Sequence, residues 1–233
     1  MLHRVDLTPV YILHTRPFRN TSLIVELFSQ THGRISVVAR SARGPQSRYK
    51  GQLQLFMPML ASWSGLHELK TLGNTELNGM PLQLNQNALF CGFYLNELLI
   101  RLLQKEDPHP QLFSLYQNSL CQLENNANNL PAILRLFEKK LLEELGYGLP
   151  LTHDAKTREK IQSDCHYEFI PNQGFFLSDV ESRTHHYFSG ADLIAIFTEK
   201  FDTESVANSA KRLMRLAISH LLGNNTLKSR ELF

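Results

Sequence analysis

Five cations, Arg34, Arg40, Arg43, Arg48 and Lys50, fall within the nineteen residues GRISVVARSARGPQSRYKG (33–51), and no carboxylate stands among them. The chemistry open to such a run is electrostatic. Side chains charged at neutral pH neutralise phosphates and release condensed counterions without reading any base. The competing account is protective, because Lys and Arg on an exposed strand also keep it from pairing with other chains. Covalent chemistry has no comparable signature: GxxxxGK[ST], GxGxxG, GxSxG and HExxH are all missing from the sequence. A binding protein, not an enzyme, is the expectation.

The charge balance sharpens the point. The chain of 233 residues carries 24 Lys and Arg against 22 Asp and Glu. Residues 1–80 hold nine of the bases and four of the acids, a net +5, while the remaining 15 bases and 18 acids leave about −3. A basic first third on a nearly neutral chain marks a polyanion-binding part joined to something else. Three scattered cysteines (Cys91, Cys121, Cys165) form neither a disulfide framework nor a CxxC ligand pair. No apolar run reaches membrane-spanning length, and the start, MLHRVDLTPVY, lacks a signal-peptide core. These features predict an intracellular, cytoplasmic protein with no membrane contact.

The elements that must position the cations change period near residue 80. Before it, VYILH, SLIVELFS, RISVVAR, QLQLFMPMLASW and HELKTLGNTEL read as five strands, separated by turn residues such as Gly33, Gly44-Pro45 and Ser64-Gly65. Five strands in so short a span suit a small closed barrel, either an OB fold or an SH3-like barrel. After Pro81 the period is helical. Helices are expected over 82–105, 112–123, from Pro131 to Leu145 before the stop Gly146-Tyr147-Gly148, and over 203–222. Residues 152–188 read as irregular, with a hairpin where YEFIP and GFFLS flank Asn172-Gln173-Gly174. The fold class is therefore α+β with two domains: a five-stranded barrel over 1–80, and a mainly helical domain over 81–233 carrying a small irregular insertion.

On an alternating third strand Arg34, Ser36, Val38 and Arg40 share one face, expected to face solvent, and the following loop adds Arg43, Arg48 and Lys50. Tyr11, Phe18 and Tyr49 offer either stacking surfaces for bases or core for the barrel. On the last helix Lys211, Arg212 and Arg215 stand opposite the apolar stripe as a second basic face.

Four blocks resemble the bacterial recombination mediator family RecO. They are residues 11–43, with Arg16-Pro17-Phe18, Thr21-Ser22-Leu23, Gly33-Arg34 and Val38-Ala39-Arg40; then Tyr94-Leu95-Asn96-Glu97-Leu98-Leu99; then Phe137-Glu138 through Leu145-Gly146-Tyr147-Gly148; and the terminal Leu227-Lys228-Ser229-Arg230-Glu231-Leu232-Phe233. The resemblance implies an N-terminal OB fold followed by a helical domain. It implies binding of single- and double-stranded DNA and annealing of complementary strands. It further implies capture of the acidic, Phe-ending C-terminal tail of single-stranded DNA-binding protein (SSB), loading of RecA onto SSB-coated DNA together with RecR, and association with the nucleoid. Arg16 joins Arg34, Arg40, Arg43, Arg48 and Lys50 as a DNA-binding candidate. Arg135, beside Phe137, Lys139 and Leu142 on the third helix, stands where the resemblance puts a tail-contacting arginine. An exposed flank residue without a ligand is the plainer reading of Arg135.

Many relatives in that family carry a four-cysteine zinc site after the LGYG block. Here the segment offers only Cys165, with His153, His166, His185 and His186 near in sequence. Paired ligands two to four residues apart are missing, so no metal or other cofactor is expected, and hydrogen bonds and packing must hold the loop. Two other functions stay open on residues alone: a protein–protein adaptor whose barrel is only a folding module, and an RNA-binding OB protein without annealing activity.

Overall fold

The alternating residues of the first eighty positions build β1 (Arg4–Phe18), β2 (Ser22–Ser29), β3 (Gly33–Ala39), β4 (Met59–Ser64) and β5 (Leu69–Leu77). They close into a barrel of order β1-β2-β3-β5-β4, in which the β3–β5 pair is parallel and the others antiparallel. This is the five-stranded Greek-key closure of an OB-type barrel. β1 is long enough to pair with β4 through its first half and with β2 through its second, and register slips after Val5 and after Ile12 bend it between the two. Val10, Ile12, Val25, Leu27, Ile35, Val37, Met59, Ala61, Trp63 and Leu72 fill the interior.

The coordinates, a computed structural model, describe residues 4–126, 129–178 and 186–232. They fall into two compact units, Met1–Asn128 with Leu227–Phe233, and Asn129–Thr226. The first unit continues past the barrel into α1 (Gln86–Leu102) and α2 (Pro110–Asn125) and takes in a terminal 3-10 helix, Lys228–Leu232. Pro110 opens α2, where its fixed φ suits a first turn.

Two differences from the sequence reading have physical causes. QLQLFMP is not strand: residues 52–58 are turns and coil, and their apolar residues cover the barrel instead of lengthening β4. Met57 enters the core, Leu53 and Leu55 pack partly buried on it, and Phe56, at φ 60°, meets the Phe93 ring of α1. Alternation seen there in the sequence came from a plug. The second difference is the face of β3. Ser36 is buried and donates to Glu26 (2.8 Å), while Arg34 pairs with the same carboxylate (3.3 Å) and donates Nε to the Leu103 carbonyl (3.2 Å). The loop after α1 covers this end of the sheet, and Gly33 lets it do so. At φ 67° a Cβ on Gly33 would stand 2.0 Å from the Asp107 carbonyl oxygen.

A buried polar chain fastens α1 to the barrel. Asn96 Nδ2 donates to the Leu13 carbonyl of β1 (2.9 Å), and Tyr116 of α2 donates its hydroxyl to Asn96 Oδ1 (2.6 Å). Tyr11, Phe28, Phe113 and Tyr116 pack edge-on and tilted around it, with centroids 5.2–6.0 Å apart. Burial pushes the Tyr11 phenol up to about 12 and Tyr116 well above its ordinary value, so both stay protonated. One residue on, Glu97 accepts from the Lys228 amide (3.0 Å) and from the amide (2.8 Å) and hydroxyl (2.6 Å) of Ser229. Burial opposes its charge, but these bonds prevail and hold its pKa below the usual value. Two blocks far apart in the sequence, YLNELL and LKSREL, are thus the two halves of one contact.

The second unit holds α3 (Leu130–Glu144), a three-stranded sheet of order β7-β6-β8 (β6 His166–Ile170, β7 Gly174–Ser178, β8 Tyr187–Ser189), α4 (Gly190–Phe197) and α5 (Glu204–Leu222). The expected hairpin is β6–β7, turning through Asn172 at φ 63°. α4 was not expected from periodicity. At eight residues it is too short to show one, although Ser189 accepts from the Asp192 amide (3.1 Å) as an N-cap. Gly146, at φ 81°, ends α3 while the Tyr147 amide reaches the Leu142 carbonyl (2.8 Å).

Replacing Asn96 by Leu leaves the Tyr116 hydroxyl and the Leu13 carbonyl buried without partners. The expected cost is about 2–4 kcal/mol, read as a lower urea midpoint of the first unit, with exchange protection lost first in α1 and α2. A midpoint equal to wild type would show that packing alone holds the helices.

Candidate nucleic-acid interface

One end of the barrel collects the cations. β1 and β2 meet there at the turn Arg19–Asn20–Thr21, and the loop leaving β3 returns to the same turn. The Ser41 amide lies 3.4 Å from Ser22 Oγ, and the Arg43 amide donates to the Thr21 carbonyl (2.7 Å). The guanidinium of Arg43 then clamps the turn, donating to the carbonyls of Arg19 (2.8 Å), Asn20 (2.9 Å) and Ser22 (3.3 Å). Arg48 is held in a similar way. It lies over the Tyr49 ring (4.8 Å) and donates to the Leu72 carbonyl (3.2 Å) and the Tyr49 hydroxyl (2.5 Å).

Carbonyl and phenol acceptors fix these two guanidinium groups without cancelling their charge. That separates them from Arg34, whose charge Glu26 neutralises. Arg16, Arg40 and Lys50 are exposed and, among the described residues, have no carboxylate within ion-pair distance. Arg19, beside the ring of Phe18 (5.2 Å) and also exposed, belongs to the same rim. Sequence reading passed it over because it lies outside the dense run. The signal available was its place in the β1–β2 turn, which faces the loop after β3. Of the six residues expected to meet DNA, the structure brings Arg16, Arg40, Arg43, Arg48 and Lys50 to the rim and its loop, and turns Arg34 to the helix end. Tyr11 and Tyr49 are core, and Tyr49 donates its hydroxyl to the Leu72 carbonyl (2.9 Å).

The α3 residues sit differently from the exposed flank that the plainer reading pictured. Arg135 is only 6 % exposed and pairs with Glu138 (2.9 Å), itself 0 % exposed. Two further guanidinium nitrogens of Arg135, Nε and Nη1, are buried without a hydrogen bond among the described residues. Lys139 is buried too, donating to the Phe197 carbonyl (2.9 Å) and Glu199 (2.9 Å). Phe137 and Leu142 are core. Of the four, Leu142 lines a cavity, of about 280 Å³, with Tyr147, Pro150, Phe169, His220 and Leu221 among its walls. On α5, Lys211 and Arg215 are exposed as expected. Arg212 is not on that face: it stacks on Phe188 (4.5 Å) and donates to the Tyr187 carbonyl (2.7 Å), and burial lowers its pKa.

The segment where the resemblance implies a zinc site does not fit the metal. Among the described residues no group of three His, Cys, Asp or Glu is gathered closely enough to hold an ion, and His185 lies outside the described residues. Cys165 Sγ lies 3.9 Å from Gln162 Oε1, and His153 Nδ1 is 2.9 Å from Thr152 Oγ1. Asp154 organises the segment. It is buried and accepts from the amides of Lys156 (2.7 Å), Thr157 (2.6 Å) and Leu177 (2.5 Å). Burial opposes its charge, yet these bonds hold its pKa below the ordinary carboxyl value. A carboxyl lowered on folding lends stability above its unfolded pKa and loses it as pH falls through the folded one. Asp154→Asn should therefore melt at least about 3 °C below wild type at pH 7, with the gap closing below about pH 4. A gap independent of pH would mean that shape, not charge, is what Asp154 supplies.

With the site described, comparison with known proteins gives its context. The family models for the recombination protein O N-terminal and C-terminal regions match residues 5–80 and 84–231. The chain is 53% identical over 234 residues to the DNA repair protein RecO of Coxiella burnetii strain RSA 331 / Henzerling II, covering 100% of this chain and 99% of that one. It is 44% identical over 230 residues to the DNA repair protein RecO of Methylococcus capsulatus strain Bath, covering 99% and 93%. It is 40% identical over 230 residues to that of Azoarcus sp. strain BH72, covering 97% and 94%. A closed OB-type barrel with a basic rim, followed by helices and matched along its length by these relatives, makes this chain a member of the RecO family of DNA repair and recombination proteins.

Proposed function

We propose that this protein is a recombination mediator that binds single- and double-stranded DNA through the barrel rim and anneals complementary strands without hydrolysing any bond. The observation that carries the reading is the set of un-neutralised cations, Arg16, Arg40, Arg43, Arg48 and Lys50, gathered at one end of the barrel, with Arg19 added. Charges on strand ends and loops follow a phosphate backbone regardless of sequence, as annealing requires, since both strands must be held before their bases are compared. A protein–protein adaptor has no need for unpaired cations of this density. An RNA-binding role differs only in the sugar, and competition between ribo- and deoxyribo-oligonucleotides separates the two.

Within the same reading the protein captures the acidic SSB tail and acts with RecR to load RecA, among the DNA of the nucleoid. A peptide that ends in an aromatic residue with a free main-chain carboxylate needs an apolar recess for the ring. The cavity beside Leu142 supports this: it is apolar along Pro150, Phe169 and Leu221 and has the 52 % exposed Tyr147 among its lining residues. Arg135, Phe137 and Lys139 are buried and are not among the residues lining it, so their substitution acts on tail binding through stability. Lys211 and Arg215 are a secondary basic face for either polyanion.

Changing Arg16, Arg40 and Lys50 together to Ala removes three exposed charges and breaks no side-chain hydrogen bond found among the described residues. Anisotropy of a labelled single strand across a salt series should show weaker binding and a log K against log salt slope flatter by about 2. An unchanged slope moves the DNA site off the rim. Tyr147→Asp should weaken binding of a peptide of the SSB tail at least about tenfold while bare-DNA affinity holds, a loss of about 1.4 kcal/mol. Equal peptide affinity removes this cavity from the tail site.

A further inference from the structure

The β3–β4 connection encloses space as well as carrying charge. Between Ala39 and Met59 the chain doubles back, with Tyr49 and Met57 in the barrel core and Leu53 and Leu55 packed on its edge. A half-open groove of about 500 Å³ remains between this fold-back and the rim. Leu23, Ala42 and Leu53 give it apolar surface over the buried Tyr49, Arg43 and Lys50 bring positive charge to it, and Gln54 adds an exposed side-chain amide.

We propose that the groove is a base pocket, which receives one nucleobase turned out from a single strand while the rim cations hold the phosphates on either side. The inference rests on the DNA-binding reading and deepens it. A nucleobase is a flat, largely apolar body with hydrogen-bonding edges, and it enters a protein together with the negative charges of its own backbone. The groove matches each part. Its apolar walls take the faces, and the Gln54 amide, which can both donate and accept, meets an edge. Positive charge does not stop at the groove. Arg43 is tied to the β1–β2 turn, and Arg16, Arg19 and Arg40 continue from there, so a strand leaving the groove meets a second group of cations. Paired bases cannot enter without unpairing, so a duplex rests on the cations alone. The groove therefore gives the rim its preference for unpaired nucleotides.

The test compares full-length protein with oligonucleotides of equal length and charge, one carrying bases throughout and one carrying abasic sites, by anisotropy at fixed salt. The base-bearing strand should bind about fivefold or more tightly than the abasic strand. Ala42→Trp, which fills the groove, should bring the base-bearing strand down to the abasic affinity. In wild type a single 2-aminopurine within the strand should change its fluorescence on binding, and this readout needs no variant to fold. Equal affinity for base-bearing and abasic strands, or a silent 2-aminopurine, overturns the pocket and leaves backbone binding intact. If an acidic, Phe-ending peptide binds and Ala42→Trp abolishes that binding while the two strands bind alike, the groove is a peptide site and the proposal falls. Failure of every oligonucleotide to bind even at low salt overturns the DNA-binding reading itself, and the pocket with it.

Discussion

The first unit depends on one buried polar chain, from the Leu13 carbonyl of β1 through the Asn96 amide to the Tyr116 hydroxyl. β1 is the strand that closes the barrel on one side and opens it to the helices on the other. Its carbonyl at Leu13 is buried, and an unpaired buried carbonyl is costly. Asn96 is the side chain that satisfies it, and Tyr116 in turn satisfies Asn96. Because hydrogen bonds are directional where apolar packing is not, this chain sets where α1 and α2 lie against the aromatic cluster of Tyr11 and Phe28. Glu97, one residue on, then fixes the terminal 3-10 helix to the same α1.

That docking also determines which cations remain available. The loop after α1 reaches Gly33 and Arg34 and draws Arg34 into a pair with Glu26, so the first charge of the run serves the fold. The far end of β3 has no such cover. There the guanidinium groups of Arg43 and Arg48 end on carbonyls and a phenol, which orient them and leave their charge standing. Arg16, Arg40 and Lys50 keep theirs in water. The distinction between a cation held by a carboxylate and one held by a neutral oxygen divides the run into its neutralised member and those whose charge remains available.

In the second unit the same physics acts on buried charges. The buried Arg135–Glu138 pair, Lys139 on the Phe197 carbonyl and Glu199, and Asp154 under three amides are charges made tolerable by specific partners. In the segment after the LGYG block, a single carboxylate accepting from the backbone organises the turn. Such an Asx-type hub immobilises a loop too polar to pack by itself.

Much of this was legible in the residues alone. Alternation over 22–29 and 34–40, the helical spacing of Tyr94, Leu95, Leu98 and Leu99, the Gly146 stop and the Asn172–Gly174 turn are local signals, since period and backbone freedom act within a few residues. The family resemblance, too, rested on blocks of this kind. Tertiary structure decided the rest. Residues 52–58 alternate like a strand but plug a barrel end, Arg135 looks like a flank and is buried, Arg212 turns under to stack on Phe188, and Arg34 sits in a basic run yet is neutralised. For three of these the deciding partner lies on another element: Leu103 and the neighbouring strand's Glu26 for Arg34, Tyr187 and Phe188 for Arg212, the barrel core for Met57. A sequence displays what a residue is and how it repeats. Whether its charge is cancelled or its face covered depends on neighbours brought in by long-range folding, which no local period records.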